Sequence, residues 1–259
     1  VILHRDLLIL TFDGADLQYL AALNKHTGAT VWQSKREVDW KDLDAAGQPI
    51  NEGDFRKGFT TPLVISHNGG QQLISPASST IFAYDPDTGK ELWRITNQAH
   101  TPSVSPVFAD GLVLVATGVR KPEMLAIRPE GRGDITDTHV AWRITGKDVP
   151  HTPSPAVLDG LMYMVSDHGA LTCVEIATGG VIWREKLGGS QIASPVHDGQ
   201  RVYFFGASGK TIVIRAGRKY EQLADSRLDA GFMASPSVFA DSFILRTKTH
   251  LYRIADKPE

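Results

Sequence analysis

Two short stretches of the sequence carry histidines that could bind a metal ion or a small ligand. His100–Ser103 and His151–Ser154 both read His-Thr-Pro-Ser. Imidazole is a common metal ligand, so two histidines that converged at one mouth of a channel could form part of a metal or ligand site. The alternative is that His100 and His151 are loop residues of a repeat that hydrogen-bond to backbone carbonyls. We therefore treat them as candidate ligand or partner contacts, and we assign no metal ligand.

Three other motifs have a chemical and a structural interpretation. Asp85–Gly89 resembles the start of a calcium loop, but it lacks the distal glutamate of such a loop and suits a hairpin turn with an Asx bond. Arg132–Asp134 spells Arg-Gly-Asp, a weak match to an integrin-binding tripeptide that is also typical of a solvated turn. The single cysteine, Cys173, excludes an intrachain disulfide and lies between apolar neighbours, which predicts a buried, inert thiol. None of these motifs identifies a catalytic residue.

Residues 36–57 form one substantial segment outside the repeated pattern described below. Insertions on one face of a repeat protein often carry its function. Trp40 and Phe55 stand among charged residues in this segment, as in a recognition loop. The alternative is a surface loop whose aromatic side chains pack on the rim of the fold. Trp40 and Phe55 are candidate partner contacts on the first interpretation.

Composition excludes several classes of protein. The chain has 259 residues with 27 Lys and Arg against 29 Asp and Glu, for a net charge of −2. This balance argues against a nucleic-acid binder and against a polybasic membrane-surface protein. The longest apolar runs are too short for a transmembrane helix, so we expect no transmembrane segment. The sequence begins at Val1, inside a predicted strand, which we interpret as a fragment or processed form.

A repeat of about 40 residues extends through the chain. Small-residue–proline pairs recur with their prolines 44, 49, 40 and 41 residues apart, at Pro62, Pro106, Pro155, Pro195 and Pro236. Each pair precedes short apolar runs separated by turns, and three copies then have a Thr-Gly turn followed by tryptophan. Four short strands in about 40 residues match the repeat length and strand number of a propeller blade. The tryptophans of this pattern are Trp32, Trp93, Trp142 and Trp183, and the fifth copy has Leu223 instead.

The Thr-Gly-x-x-x-Trp pattern resembles the PQQ-like, or quinoprotein-type, β-propeller repeat family, and the resemblance covers essentially the whole chain. It implies an all-β propeller of four-stranded antiparallel blades, six of them visible, in a ring of seven or eight. We expect one propeller domain over 1–259, with repeats at 1–57, 58–100, 101–149, 150–189, 190–229 and 230–256. In the family each tryptophan docks onto the neighbouring blade, so Leu223 predicts one weaker contact.

The resemblance also implies what the protein does. Secreted bacterial members and the propeller lipoprotein of the outer-membrane β-barrel assembly machinery suggest a non-catalytic scaffold. Such a scaffold would be periplasmic, in the cell envelope or secreted, and would bind another envelope protein or a surface ligand. The first alternative is an oxidoreductase using pyrroloquinoline quinone with Ca²⁺, for which no ligand residue can be assigned by motif. The second is a carbohydrate-binding or sensing module. We predict no cofactor and no catalytic residue.

Overall fold

A computed structural model of the chain describes residues 1–228, 230–239 and 241–255. The predicted repeat boundaries at 229 and 256 therefore lie outside the described residues. The chain forms two compact units, Val1–Gly146 and Lys147–Glu259, which we call the N-terminal and C-terminal units. In each unit the main strands form antiparallel sheets, each built from strands that are consecutive in the chain.

The N-terminal unit contains three sheets. The first has four strands, β1 (Ile2–His4), β2 (Leu7–Asp13), β3 (Gln18–Asn24) and β4 (Thr30–Lys35). The second has β5 (Leu63–His67), β6 (Gly70–Ala77), β7 (Thr80–Tyr84) and β8 (Glu91–Thr96). The third has β9 (Val107–Ala109), β10 (Leu112–Ala116), β11 (Glu123–Ile127) and β13 (Val140–Thr145). A two-residue strand, β12 (Gly133–Asp134), leaves the long turn of the third sheet and pairs in parallel with β8.

The C-terminal unit also contains three sheets. The first has β14 (Ala156–Leu158), β15 (Leu161–Val165), β16 (Ala170–Glu175) and β17 (Val181–Lys186). The second has β18 (Val196–His197), β19 (Arg201–Phe205), β20 (Lys210–Arg215) and β21 (Gln222–Arg227). The third has three described strands, β22 (Ser237–Phe239), β23 (Ser242–Arg246) and β24 (Leu251–Ala255).

The middle strands of several sheets are buried because apolar side chains cover both of their faces. Every residue of β7 and of β15 is buried, and facing sheets share clusters of Ile, Val, Leu and Phe within each unit. At about 25 cal/mol per Å² of apolar area removed from water, this burial is the main stabilising term. The outer strands, by contrast, are largely exposed, as β17 and β21 show. The exposed outer strands and the loops between strands are therefore the parts of each sheet that a partner can reach.

The predicted all-β class and the succession of four-stranded antiparallel sheets are confirmed. The six sheets follow the six predicted repeats in chain order. The exact repeat boundaries and the single domain over 1–259 stay predictions. No helix among the described residues has the length and apolarity needed to span a bilayer.

Candidate functional site

The predicted insertion begins at a buried ion pair. The guanidinium of Arg36 lies 2.6 Å from Asp13, Nε to Oδ1, and both side chains are almost fully buried. Arg36 also donates to the Ser75 hydroxyl at 2.8 Å and to the Ser75 carbonyl at 3.2 Å. Burial raises the pKa of the Asp13 carboxyl, while the charge and hydrogen bond of Arg36 oppose the rise. Because β2 and β6 both contribute to this contact, the first residue of the insertion is fixed to two sheets.

A second ion pair closes the insertion on itself. The guanidinium of Arg56 donates to both carboxylate oxygens of Asp42, at 2.8 and 2.7 Å. Its carbon atom lies 5.2 Å from the centre of the Trp40 ring, within cation–π range. The hydrogen bond from Arg56 lowers the pKa of Asp42, and burial of the carboxyl opposes this effect. Trp40 is half-buried in this arrangement. Its contact with Arg56 links the indole ring to the Arg56–Asp42 ion pair within the insertion.

The backbone between these ion pairs is a small hairpin followed by a left-handed stretch. The Ile50 amide donates to the Asp42 carbonyl at 2.7 Å. Two 3₁₀ turns over Ile50–Arg56 are separated by three residues with positive φ, which end at Gly53. A Cβ atom at Gly53 would lie 2.8 Å from the Ala15 carbonyl oxygen. Glycine therefore lets the insertion press against the turn between β2 and β3.

The end of the insertion brings together two of the residues predicted as partner contacts. The Phe55 ring packs on His100 with centroids 4.7 Å apart and an angle of 54° between the rings. The Ser78 hydroxyl donates a short hydrogen bond to the Phe55 carbonyl, and the Phe59 amide donates to the Pro102 carbonyl at 2.8 Å. Phe55 is half-buried. The insertion and the His100 loop thus form one packed structure, in which Phe55 is an internal contact.

The imidazole of His100 lies in a partly buried, weakly cationic environment. Burial lowers its pKa, the nearby charge of Arg120 lowers it further, and Asp54 opposes both. Its Nδ1 is 2.8 Å from the Thr101 hydroxyl, and Thr101 has a φ of +56°. The segment passes directly over Gly118, where a Cβ atom would lie 2.3 Å from the His100 carbonyl oxygen. Burial and the charge of Arg120 therefore favour the neutral imidazole of His100, and the loop that carries it is tightly constrained.

The second histidine lies in the other unit. The backbone amide of His151 donates to the Asp167 carboxylate at 2.7 Å, and its side chain is half-buried. Throughout the described ranges, no group of three or more His, Cys, Asp or Glu side chains is placed to hold a metal ion. The role of both histidines as ligand or partner contacts stays a prediction.

The remaining motifs have structural positions. Asp85 accepts hydrogen bonds from the amides of Asp87 and Thr88 at 2.9 and 3.0 Å, which is the Asx turn of a hairpin. Gly133 and Asp134 of the Arg-Gly-Asp triplet form β12 on the edge of β8. The Cys173 thiol is fully buried.

The repeat tryptophans make hydrogen bonds between sheets that are adjacent in the chain. Trp32 Nε1 donates to the Pro86 carbonyl at 3.2 Å, and Trp183 Nε1 donates to the Gly217 carbonyl at 3.2 Å. Trp93 reaches the third sheet indirectly, since its Nε1 donates to Gln72 at 2.8 Å and Gln72 donates to Pro129 at 2.7 Å.

Burial varies along this pattern, since Trp32 and Trp93 are buried whereas Trp183 is half-buried. Trp142 is half-buried, and Leu223, which replaces the fifth tryptophan, is 38% exposed.

The N-terminal unit also contains a polar cleft of about 630 Å³. Hydroxyl and charged groups line it, among them Thr96, Thr136, Lys121 and Arg143. Arg143 pairs with Glu123 at 3.2 Å. No aromatic side chain lines this cleft, so it lacks the stacking surface expected for the carbohydrate-binding alternative, which stays a prediction.

Sequence reasoning missed two features of this region. Arg36 and Asp13 were not expected as a buried pair, because isolated charges in a polar stretch are typical of solvated surface. Leu17, Leu43, Ile50 and Phe59 were not singled out, yet all four are large apolar side chains with 44–63% of their area exposed. Three of these residues, Leu43, Ile50 and Phe59, lie in the otherwise charged segment 36–59. Their presence there was the signal available in the sequence.

The resemblance to quinoprotein enzymes implies a Ca²⁺ ion held beside the quinone by a Glu, an Asn and an Asp. No residue of this chain is assigned to that set, and its single cysteine, Cys173, cannot form a vicinal disulfide. The absence of a cofactor stays a prediction.

Comparisons with known proteins agree with the fold. A family model described as outer membrane protein assembly factor BamB matches residues 17–143 and 131–220. The BamB of Shewanella oneidensis is 23% identical over 245 residues, which cover 90% of this chain and 55% of that protein. The BamB of Marinobacter adhaerens is 30% identical over 94 residues, covering 36% of this chain and 24% of that protein.

Solved structures show the same fold at low sequence identity. BamB from Moraxella catarrhalis has a TM-score of 0.67 at 14% identity, covering 95% of this chain and 68% of that one. Quinohemoprotein alcohol dehydrogenase from Comamonas testosteroni has a TM-score of 0.60 at 12% identity, covering 88% and 43%. These likenesses confirm the propeller fold.

The family-model match provides the assignment. The chain spans about half the length of the Shewanella relative, at 55%. The two matched ranges together extend over residues 17–220, most of the chain. On this match, the chain belongs to the PQQ-like repeat family whose model is described as outer membrane protein assembly factor BamB.

Proposed function

We propose that this chain is a non-catalytic propeller scaffold that binds another protein of the bacterial cell envelope during outer membrane protein assembly. The observation that carries the proposal is the family-model match over residues 17–220. The relatives in Shewanella oneidensis and Yersinia pestis are both named as outer membrane protein assembly factors. We also propose a location in the cell envelope, which the named role of these relatives in outer membrane protein assembly supports.

The architecture supports a binding role. The middle strands β7 and β15 are fully buried, and the insertion is tied down by two ion pairs, Arg36–Asp13 and Arg56–Asp42. A loop that is already ordered loses less conformational entropy when it binds a partner. We propose that the chain forms one propeller domain, with its six sheets as blades of a larger ring, and that its loops present the binding surface.

A genetic experiment tests the role in assembly. Deletion of the gene in the source organism should lower the amount of folded, heat-modifiable outer membrane protein, and the unaltered gene should restore it. Fractionation should place the protein with the envelope. Unchanged outer membrane protein levels in the deletion strain would contradict the proposal.

A binding experiment tests the non-catalytic part. Thermal unfolding of the full-length protein with and without pyrroloquinoline quinone and Ca²⁺ should give the same transition temperature. A ligand at 100 times its Kd would add roughly 2.7 kcal/mol of stability. A clear upward shift would overturn the non-catalytic proposal in favour of the oxidoreductase.

A further inference from the structure

The insertion presents a group of large apolar side chains to solvent. We define the insertion surface as the outward side of residues 37–59 together with Leu17. Leu43 is 59% exposed, Ile50 44%, Phe59 63% and Leu17 62%. Single exposed apolar residues are ordinary on a protein surface, but several in one anchored segment mark an interaction site.

The backbone contacts join these four positions into one structural region. Leu43 pairs with Pro49 across the small hairpin that leads to Ile50. Gly53, on the next turn, lies against Ala15, two residues before Leu17. The insertion then ends with the Gly58 amide donating to the Asp13 carbonyl at 3.1 Å, directly before Phe59.

The same region carries an excess of negative charge. Arg36, Arg56 and Lys57 are already neutralised by ion pairs with Asp13, Asp42 and Asp54. Within the insertion surface and at the adjacent Asp16, five exposed carboxylates form no ion pair with a described residue, whereas Lys41 is the one exposed lysine there without such a pair. The unpaired carboxylates are those of Asp16, Glu37, Asp39, Asp44 and Glu52.

We propose that the insertion surface binds a basic, apolar peptide segment of a partner protein. Apolar side chains of such a segment would cover Leu43 and Phe59, and its lysines or arginines would meet the surrounding carboxylates, including Glu37 and Glu52. Complementary charge raises the association rate and selects against acidic partners. The inference rests on the proposed scaffold function and assigns to it a place and a partner chemistry.

The charge pattern also argues against other occupants. An anionic lipid surface or a nucleic acid would be repelled by the unpaired carboxylates. A second copy of this chain in a two-fold dimer would bring the insertion surface against itself, so like charges would face one another. A cationic, apolar segment is the occupant that satisfies both the exposed apolar area and the charge.

Fluorescence anisotropy with the full-length protein tests the proposal. The probes are two labelled peptides, one alternating Leu with Lys and one alternating Leu with Glu. The Leu-Lys peptide should bind, with affinity that falls as salt is raised, and the Leu-Glu peptide should not. Glu37→Gln with Glu52→Gln should weaken binding by roughly two- to thirtyfold, because each substitution removes one solvent-exposed charge contact.

Matched controls separate this surface from general charge and hydrophobicity. Asp110→Asn with Asp137→Asn removes the same charge from exposed positions of the same unit. Leu43→Ser with Phe59→Ser should abolish binding, and its control, Leu3→Ser with Val31→Ser, changes side chains that are 63% and 52% exposed. Both control pairs should change affinity by less than about twofold, and circular dichroism should confirm that all four variants fold.

Several outcomes would overturn the proposal. These are equal binding of the acidic peptide, equal weakening by the control variants, and a dimer in sedimentation that Leu43→Ser with Phe59→Ser dissociates. If the peptide results fail while gene deletion still lowers outer membrane protein levels, the scaffold function stands and the insertion surface is excluded. If deletion has no effect but the peptide binds as expected, the surface stands and the assembly role is excluded.

Discussion

The indole ring of Trp32 packs directly on the backbone of Gly89, the turn glycine of the next sheet in the chain. A Cβ atom at Gly89 would lie 2.5 Å from Cε3 of Trp32. Gly89 also has a φ of +71°, a left-handed conformation that side chains disfavour. Glycine is needed here both for the turn and for the approach of the tryptophan.

Gly89→Ala should therefore destabilise the protein more than the same change at Gly28. Gly28 occupies the corresponding turn of the first sheet with a φ of +74°, but nothing lies within 4 Å of its would-be Cβ atom. Left-handed strain alone predicts a loss of about 1–2 kcal/mol at Gly28, and the clash with Trp32 should add about 1–3 kcal/mol at Gly89. Urea unfolding measures both values, and equal losses would show that the tryptophan contact contributes little.

The buried pair of Arg36 and Asp13 predicts a strong dependence on both partners. Arg36→Met should lower the free energy of unfolding by about 3–5 kcal/mol, because it leaves the Asp13 carboxylate buried without its partner. The double variant Arg36→Met with Asp13→Leu should recover much of that loss, since no buried charge remains. Urea unfolding of Arg36→Met, of Asp13→Leu and of the double variant gives the coupling energy between Arg36 and Asp13.

An exposed ion pair provides the control for this cycle. Arg215 and Glu221 form a 2.8 Å pair with about half of each side chain exposed. Arg215→Met should leave the unfolding midpoint nearly unchanged because solvent screens such pairs.

The buried pair also predicts a change in protease sensitivity. Protease cleavage within 37–57 should be faster in Arg36→Met than in the wild type. Unchanged cleavage would mean that the pair does not anchor the insertion.

Acidification should weaken the contact between the insertion and the His100 loop. The pKa of His100 is lowered in the folded protein, chiefly by burial and then by Arg120. Below the ordinary histidine pKa of about 6.5, His100 of the unfolded chain binds a proton. In the folded chain the same side chain binds a proton only at a lower pH. Stability conferred by neutral His100 is therefore present above that pH and is lost as the pH falls toward the folded pKa.

The experiment compares unfolding of the wild type and His100→Gln between neutral and mildly acidic pH. The wild type should lose more stability on acidification than the variant, because glutamine does not titrate. An NMR titration of His100 should give a midpoint below that of a histidine in a denatured control. Identical pH profiles for the two proteins would contradict the effect.

Much of the fold could be predicted because the repeat encodes local structure. Pro62, Pro106 and their equivalents mark the start of the five sheets after the first, and the Thr-Gly turns with Trp32 or Trp93 fix the hairpin between the last two strands. These signals depend on neighbours in sequence, so a single sequence displays them. Leu223 occupies the tryptophan position of the fifth repeat and is 38% exposed, and its weaker docking contact stays a prediction.

The insertion could be located from sequence but its structure could not. The contact of Phe55 with His100 joins residues of different repeats, and nothing in the repeat pattern specifies their distance. Parallel pairing of β12 with β8 is a similar long-range event. Arg36 was missed for another reason, since burial of an arginine depends on a partner, Asp13, that lies 23 residues away.

Cys173 should be a silent thiol in the folded protein and a reporter of unfolding. It is fully buried in β16, and burial raises the pKa of its thiol to about 12. A thiol reagent attacks the thiolate, so the native protein at mildly alkaline pH should react roughly a thousandfold or more slowly than a denatured sample. Because Cys173 is the single cysteine, the whole absorbance change on reaction with the thiol reagent comes from this residue. Cys173→Ala provides the blank. The rate should rise with denaturant in parallel with the unfolded fraction, whereas native reactivity near that of a free thiol would show that the strands around Cys173 open without global unfolding.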